Sequence, residues 1–190
     1  SSVICEVMNE DGRMARLNDL KKFSKKHKIK IASIADLIAY RFKNEKLIYK
    51  SYSKTLHIKD NFGTLLSVYK NKLDNHKSIV LSKGIIKGGK SIPIRVLSMK
   101  INLKNFLKSK EIKKNLKLLS KYKNFILVII NNKINKNKGE TDVTLRYYGI
   151  GAQIIKDFNV KNMILLSRTK KKIIGLEGFG LKIKKQVIIK

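Results

Sequence analysis

Phe125-Ile126-Leu127-Val128-Ile129-Ile130 is apolar at six consecutive positions. An alternating strand shows one polar face, so an unbroken short apolar run reads as a strand covered on both faces, the kind found inside α/β sheets. Downstream, 143–158 reads as a helix, 163–166 as a strand, 170–174 as a short helix and 181–189 as a final strand. Upstream, Leu103, Phe106, Leu107, Ile112, Leu116 and Leu119 fall near helical spacing, and predict a lysine-coated helix over 103–122. The stretches 62–69, 78–82 and 92–99 read as strands, separated by turns at Asp74-Asn75 and Gly88-Gly89. Late strand-helix alternation after an earlier cluster of strands predicts an α/β fold of mixed α+β character, with a mixed sheet and flanking helices.

The first part of the chain has a different texture. Leu20 and Phe23 share one face of a helix over 19–27, and Ile29-Lys30-Ile31 reads as a short strand. Ser33-Ile34-Ala35-Asp36 has the form of a capping box and opens a helix expected over 34–44. The polar stretch 43–53 has no pattern, so the expected division is a domain portion at 1–46, a linker at 47–53 and a domain at 54–190. The chain lacks an initiator Met and opens on Val3-Ile4-Cys5, which reads as a buried strand. The expectation is that it is the tail of a longer protein.

At 190 residues with 43% apolar composition, the chain can bury one or two cores. No apolar run approaches the length of a bilayer span and no signal peptide is read, so neither membrane insertion nor secretion is expected. One cysteine, Cys5, fits the cytoplasm and makes neither an internal disulfide nor a cysteine-rich zinc site. The net charge of +31 would favour phosphate-rich partners. Only six of the 44 basic residues are arginines, however, and lysine is spread through every segment beside Asn and Ile. A/T-rich codon usage explains that mixture without a ligand, and nucleic acid is not the expected partner.

Residue types give few sites. His27, His57 and His76 are far apart in sequence and from Cys5, so no local zinc motif is present. Gly149-Ile150-Gly151 lies at a helix, but a third glycine is missing; it reads either as a packing pair or as a partial nucleotide fingerprint, and no phosphate loop is expected. Glu6, inside an apolar strand, is either a functional carboxylate or a solvated strand end.

The stretch Val3-Ile4-Cys5-Glu6-Val7-Met8-Asn9-Glu10-Asp11-Gly12-Arg13-Met14-Ala15-Arg16 resembles the late signature of 3,4-dihydroxy-2-butanone 4-phosphate synthase. The similarity continues through Phe23-Ser24-Lys25-Lys26-His27 and Ser33-Ile34-Ala35-Asp36-Leu37-Ile38-Ala39-Tyr40-Arg41. The resemblance implies riboflavin biosynthesis, with ribulose 5-phosphate converted to the butanone phosphate and formate by a cytoplasmic homodimer using Mg2+ or Mn2+. It also implies that Glu6 contacts substrate hydroxyls and is catalytic. The family's acidic loop, histidine motif and phosphate-binding arginine have no counterpart in this sequence, and the chain alone is expected to be inert.

The remainder resembles GTP cyclohydrolase II, most clearly at Arg146-Tyr147-Tyr148-Gly149-Ile150-Gly151-Ala152-Gln153-Ile154 and Gly175-Leu176-Glu177-Gly178-Phe179-Gly180-Leu181. Phe62-Gly63, Ile79-Val80-Leu81 and Pro93-Ile94-Arg95-Val96 also match its scaffold. Where that family has His-Ser-Glu-Cys this chain has Leu97-Ser98-Met99-Lys100, and two further zinc cysteines are absent from 103–115. The resemblance therefore implies a degenerate domain without zinc, and Thr144-Leu145-Arg146 keeps the family's arginine without its general base. Arg146, Ser167 and Lys172 match positions that contact GTP, as a residual nucleotide site or as retained surface residues. A true cyclohydrolase and a non-enzymatic dimerisation or basic binding module are the competing readings.

Overall fold

The structure, a computed structural model, describes residues 5–58, 61–72, 76–86, 89–131, 140–170 and 176–189. The expected turn at Asp74-Asn75, Gly88 of the second turn, most of the expected helix over 170–174, and Lys172 lie outside these residues. The chain divides into two compact units, Ser1–Leu37 and Ile38–Lys190.

The first unit contains α1 (Leu17–His27) and the first turn of α2 (Ile34–Asn44). Asp19 accepts a hydrogen bond from the Arg16 backbone N–H at 3.0 Å, which satisfies a helix-start donor. Lys28 ends α1 in the left-handed conformation, φ 54°. The Ser33–Asp36 capping box forms as expected: the Asp36 N–H donates to Ser33 Oγ at 3.0 Å and the Ser33 N–H to Asp36 Oδ2 at 3.3 Å. Two expectations fail here. Ile29-Lys30-Ile31 is not a strand, and both isoleucines are exposed, because no described neighbour pairs with them. Val3 and Ile4 of the expected buried strand lie outside the described residues, while Cys5 and Glu6 are exposed and outside any strand; the described pairing in this segment is one antiparallel bridge, Met8 with Met14. Without a sheet to join, alternating apolar residues have nothing to bury against.

The second unit is a seven-stranded mixed sheet in the order β1-β2-β3-β5-β4-β6-β7. Strands β1 (Ile48–Ile58), β2 (Asn61–Asn71), β3 (Lys77–Lys83) and β5 (Phe125–Asn131) run antiparallel, whereas β5, β4 (Ser91–Met99), β6 (Asn162–Ser167) and β7 (Lys182–Ile188) run parallel. The apolar run 125–130 lies in the central strand β5. Its residues alternate between two cores: Ile126, Val128 and Ile130 face α4 (Glu140–Asp157), while Phe125, Leu127 and Ile129 face α3 (Lys110–Leu119). The predicted long helix 103–122 is shorter, because Leu103, Phe106 and Leu107 pack from a loop and a 3-10 turn (Phe106–Lys108) before Ser109 starts α3.

The expected linker 47–53 is instead the start of the sheet. Leu47 and Ile48 are buried in the α4-side core, and β1 follows without interruption. Gln153 on α4 fixes this entry: its Nε2 donates to the carbonyls of Phe42 and Glu45, each at 2.7 Å, and its Oε1 accepts from the Leu47 N–H at 3.0 Å. One side chain thereby satisfies two free carbonyls at the end of α2 and one donor ahead of β1. Gly149, one turn earlier, leaves room for Phe42: a Cβ there would lie 2.5–2.8 Å from carbons of its ring. The glycine pair is thus a packing feature at Gly149.

Candidate functional site

Strand β4 lies between β5 and β6, so the chain passes from β4 to β5 on one side and then crosses to β6 on the other. The two crossovers place α3 and α4 on opposite faces, and the carboxyl ends of β4, β5 and β6 flank the crevice in which open α/β sheets bind ligands.

An arginine is buried at this switch. Arg95 lies on the α3 face of β4, where Ile94, before it, faces α4, and it is 7% exposed. Its Nε donates to Asn115 Oδ1 at 3.1 Å and its Nη1 to the Leu166 carbonyl at 3.0 Å. Asn115 Nδ2 donates to the Glu111 carbonyl at 2.8 Å and to Glu111 Oε1 at 3.2 Å, and the same carboxylate pairs with Arg168 at 2.6 Å. The network holds two guanidiniums and one carboxylate. Burial lowers the Arg95 pKa from its ordinary value and the Arg168 charge adds to that, while Glu111 opposes it. An arginine stays charged under such shifts, so the described side chains where the middle of β4 meets the end of β6 are net positive.

The same place is poor in catalytic groups. Leu97 is buried, Met99 is half-buried, and Ser98 and Lys100 are exposed. Glu111, the carboxylate of this network, is held by Asn115 and Arg168. Among the described residues no three His, Cys, Asp or Glu side chains come together as a metal site. Among the described residues, the arrangement sets two guanidiniums around one carboxylate that is already held, and no cluster of metal-ligating side chains stands with it to activate a water.

Of the expected site residues, Ser167 is at this switch, buried at the end of β6, with Oγ donating to the Thr169 carbonyl at 2.8 Å. Arg146 falls within α4, Lys172 lies outside the described residues, and Glu6 belongs to the other unit. Arg95 was legible as a scaffold match and not as a site; the signal for it is a lone charge within Ile92-Pro93-Ile94-Arg95-Val96-Leu97. One motif goes beyond the glycine pair singled out in the sequence. Gly84 to Ser91 does fit the pattern G-x-x-x-x-G-K-S of a phosphate loop. That loop works by leading into a helix N-terminus, whereas Ser91 opens strand β4; at Gly84, φ 77°, a Cβ would instead run into Asn124 and the Lys123 carbonyl.

Comparison with known proteins agrees with the two units. The 3,4-dihydroxy-2-butanone 4-phosphate synthase family matches residues 1–40, and the GTP cyclohydrolase II family matches residues 113–188, a match that starts inside α3 and leaves out the end of β4. The riboflavin biosynthesis protein RibBA of Aquifex aeolicus is 35% identical over 220 residues, covering 100% of this chain and 54% of the relative. That of Bacillus mycoides is 33% identical over 217 residues, covering 98% and 54%. The chain thus spans about half the length of the curated relatives it matches. RibBX, a two-domain 3,4-dihydroxy-2-butanone 4-phosphate synthase from A. baumannii, shares the fold with a TM-score of 0.75 and 28% identity, over 97% of this chain and 53% of that one. The chain thus joins a segment that matches 3,4-dihydroxy-2-butanone 4-phosphate synthase to a segment that matches GTP cyclohydrolase II, and over its length it is similar to riboflavin biosynthesis proteins.

Proposed function

We propose that this chain serves riboflavin biosynthesis as part of a 3,4-dihydroxy-2-butanone 4-phosphate synthase, joined to a cyclohydrolase-like domain that does not open GTP. The whole protein would take ribulose 5-phosphate to 3,4-dihydroxy-2-butanone 4-phosphate and formate, as a cytoplasmic homodimer with Mg2+ or Mn2+. No helix among the described residues is long and apolar enough to cross a membrane.

The observation that carries the reading is the state of the first unit. None of its described side chains is buried, and Met8, Leu17, Ile29, Ile31 and Leu37 are about half exposed or more. Apolar surface on that scale in so short a piece calls for a cover, and the synthase match at 1–40 supports the rest of a synthase domain as that cover. Glu6 would meet substrate hydroxyls once that domain is complete. The divalent ion would be held outside the described residues, among which no three His, Cys, Asp or Glu side chains come together. The loss of cyclohydrolase chemistry rests on Lys100, which stands where the resemblance places a zinc thiolate, and on residues 103–115, which hold no cysteine.

The test is the whole protein with its synthase portion. It should release formate from ribulose 5-phosphate when Mg2+ or Mn2+ is present, and Glu6→Gln should reduce turnover by about 10²–10⁴-fold with unchanged circular dichroism. Formate release from GTP should stay at background, zinc supplied or not. Near-full turnover by Glu6→Gln would overturn the role of Glu6, and GTP turnover lost on Arg146→Ala would overturn the inactive domain.

A further inference from the structure

The α3 face of the sheet is not fully covered. Helix α3 packs over β4 and β5, and the loop before it reaches toward β2 and β3. Between that loop and β1 remains a cavity of about 400 Å3. Strand register fixes its floor. Tyr52, Val68 and Ile79 are partners across β1, β2 and β3, so they form one rank on a single face. Leu103 and Phe106, from the β4–α3 connection, line it as well. Ile79 is buried, Tyr52 is 52% exposed, and the two aromatic rings are set on separate segments of the lining.

The next rank is Lys70 opposite Lys77. Like charges directly opposite on neighbouring strands destabilise a sheet, and neither lysine makes an ion pair with a carboxylate among the described residues. The lining thus combines an apolar body, two aromatic walls and two ammonium groups at one end, with no acidic side chain. A volume of this size is that of a small-ligand pocket. We propose that this cavity binds a small molecule made of a flat aromatic ring system carrying one anionic group, carboxylate, sulfonate or phosphate. Its ring would lie on Val68 and Ile79 beside Tyr52 and Phe106, and its anion between Lys70 and Lys77. The site is separate from Arg95, Arg146 and Ser167 and does not depend on the proposed activity.

The probe pair 1-anilinonaphthalene-8-sulfonate and N-phenyl-1-naphthylamine shares its rings and differs in the sulfonate. Fluorescence titration of the full chain should show about one sulfonate probe bound per chain, at least about tenfold tighter than the neutral one, as one charge-assisted contact gives. Lys70→Met with Lys77→Met, which keeps the apolar stems, should abolish that preference. Tyr52→Ala, at an exposed position that does not threaten folding, should weaken both probes. Lys113→Met with Lys117→Met, on the solvent side of α3, should leave both unchanged. Equal binding of the two probes, an equal loss in the α3 control, or indifference to Tyr52→Ala would each overturn the proposal.

Discussion

Replacing Gln153 by alanine removes three hydrogen bonds that tie residues 42–47 to α4: two from Nε2 to the Phe42 and Glu45 carbonyls and one from the Leu47 N–H to Oε1. Each such bond contributes a net of about 0.5–1.5 kcal/mol, and the groups left behind are buried or half-buried. The expected loss is about 2–4 kcal/mol. With a urea slope of about 2–3 kcal/mol/M, the unfolding midpoint should fall by roughly 1 M. The amide is matched to its partners, since two carbonyls require donors and one N–H requires an acceptor. Gln153→Glu keeps the shape but turns acceptor oxygens toward both carbonyls and brings a charge into a buried place. That burial raises the new carboxyl's folded pKa, so the variant should be weakest at neutral pH and recover in part as the pH falls through that value. Native-state amide exchange at Leu47 provides the local readout and should accelerate in both variants. A loss under about 0.5 kcal/mol with unchanged exchange at Leu47 would refute the reasoning.

Gly149→Ala should destabilise by about 1–3 kcal/mol because its Cβ meets the Phe42 ring, and in a Phe42→Leu background the same change should turn neutral or stabilising, as helix propensity then decides. Urea midpoints of the four proteins check the sign reversal. Asp157 accepts from Tyr69 at 2.8 Å and Lys46 at 3.1 Å. Burial alone would raise its pKa, but these bonds and the charges of Lys46 and Lys50 outweigh it and hold the carboxyl below its ordinary value. A depressed pKa stabilises above the unfolded value and is lost as the pH falls through the folded one, so Asp157→Asn should cost about 1 kcal/mol at neutral pH, with the gap closing below about pH 4. Ser67 Oγ is buried without a hydrogen-bond partner among the described residues, so Ser67→Ala should leave stability unchanged or raise it by up to about 1 kcal/mol, read as melting temperature.

Most of the second unit is legible in the sequence because its strands are buried by side chains. The 125–130 run and the 163–166 strand there, like the capping box at Ser33 in the first unit, each carry a local signal that the fold obeys. Strand β1 carries none. Seven of its residues in succession, from Tyr49 to Thr55, are exposed on both faces, because it forms the outer strand of a hairpin held by backbone pairing to β2. Composition alone therefore reads it as a linker. The reverse error arises at Ile29-Lys30-Ile31, where a strand pattern lacks a partner. The switch-point network is hidden for a related reason: Arg95, Asn115, Glu111 and Arg168 are brought together by crossovers that no local spacing encodes. What the sequence does expose is which chemistry is missing, since a thiolate site needs cysteines and the chain has one.

Helix α2 sets a limit on how this polypeptide can be cut. The boundary between the units, after Leu37, falls within Ile34–Asn44, so the two parts share a helix rather than a loop. A fragment begun at 54, where the composition changes, would lose the first half of β1, and one begun at 47 would strip Phe42 from its place against Gly149 and leave the Gln153 amide facing water. Any fragment meant to report on the cyclohydrolase-like part alone must start no later than 38, and even then it takes with it residues 38–40 of the synthase match. A cut between the two units has no clean seam, and an exchange of either unit between relatives would have to carry the helix together with the glycine and glutamine that receive it.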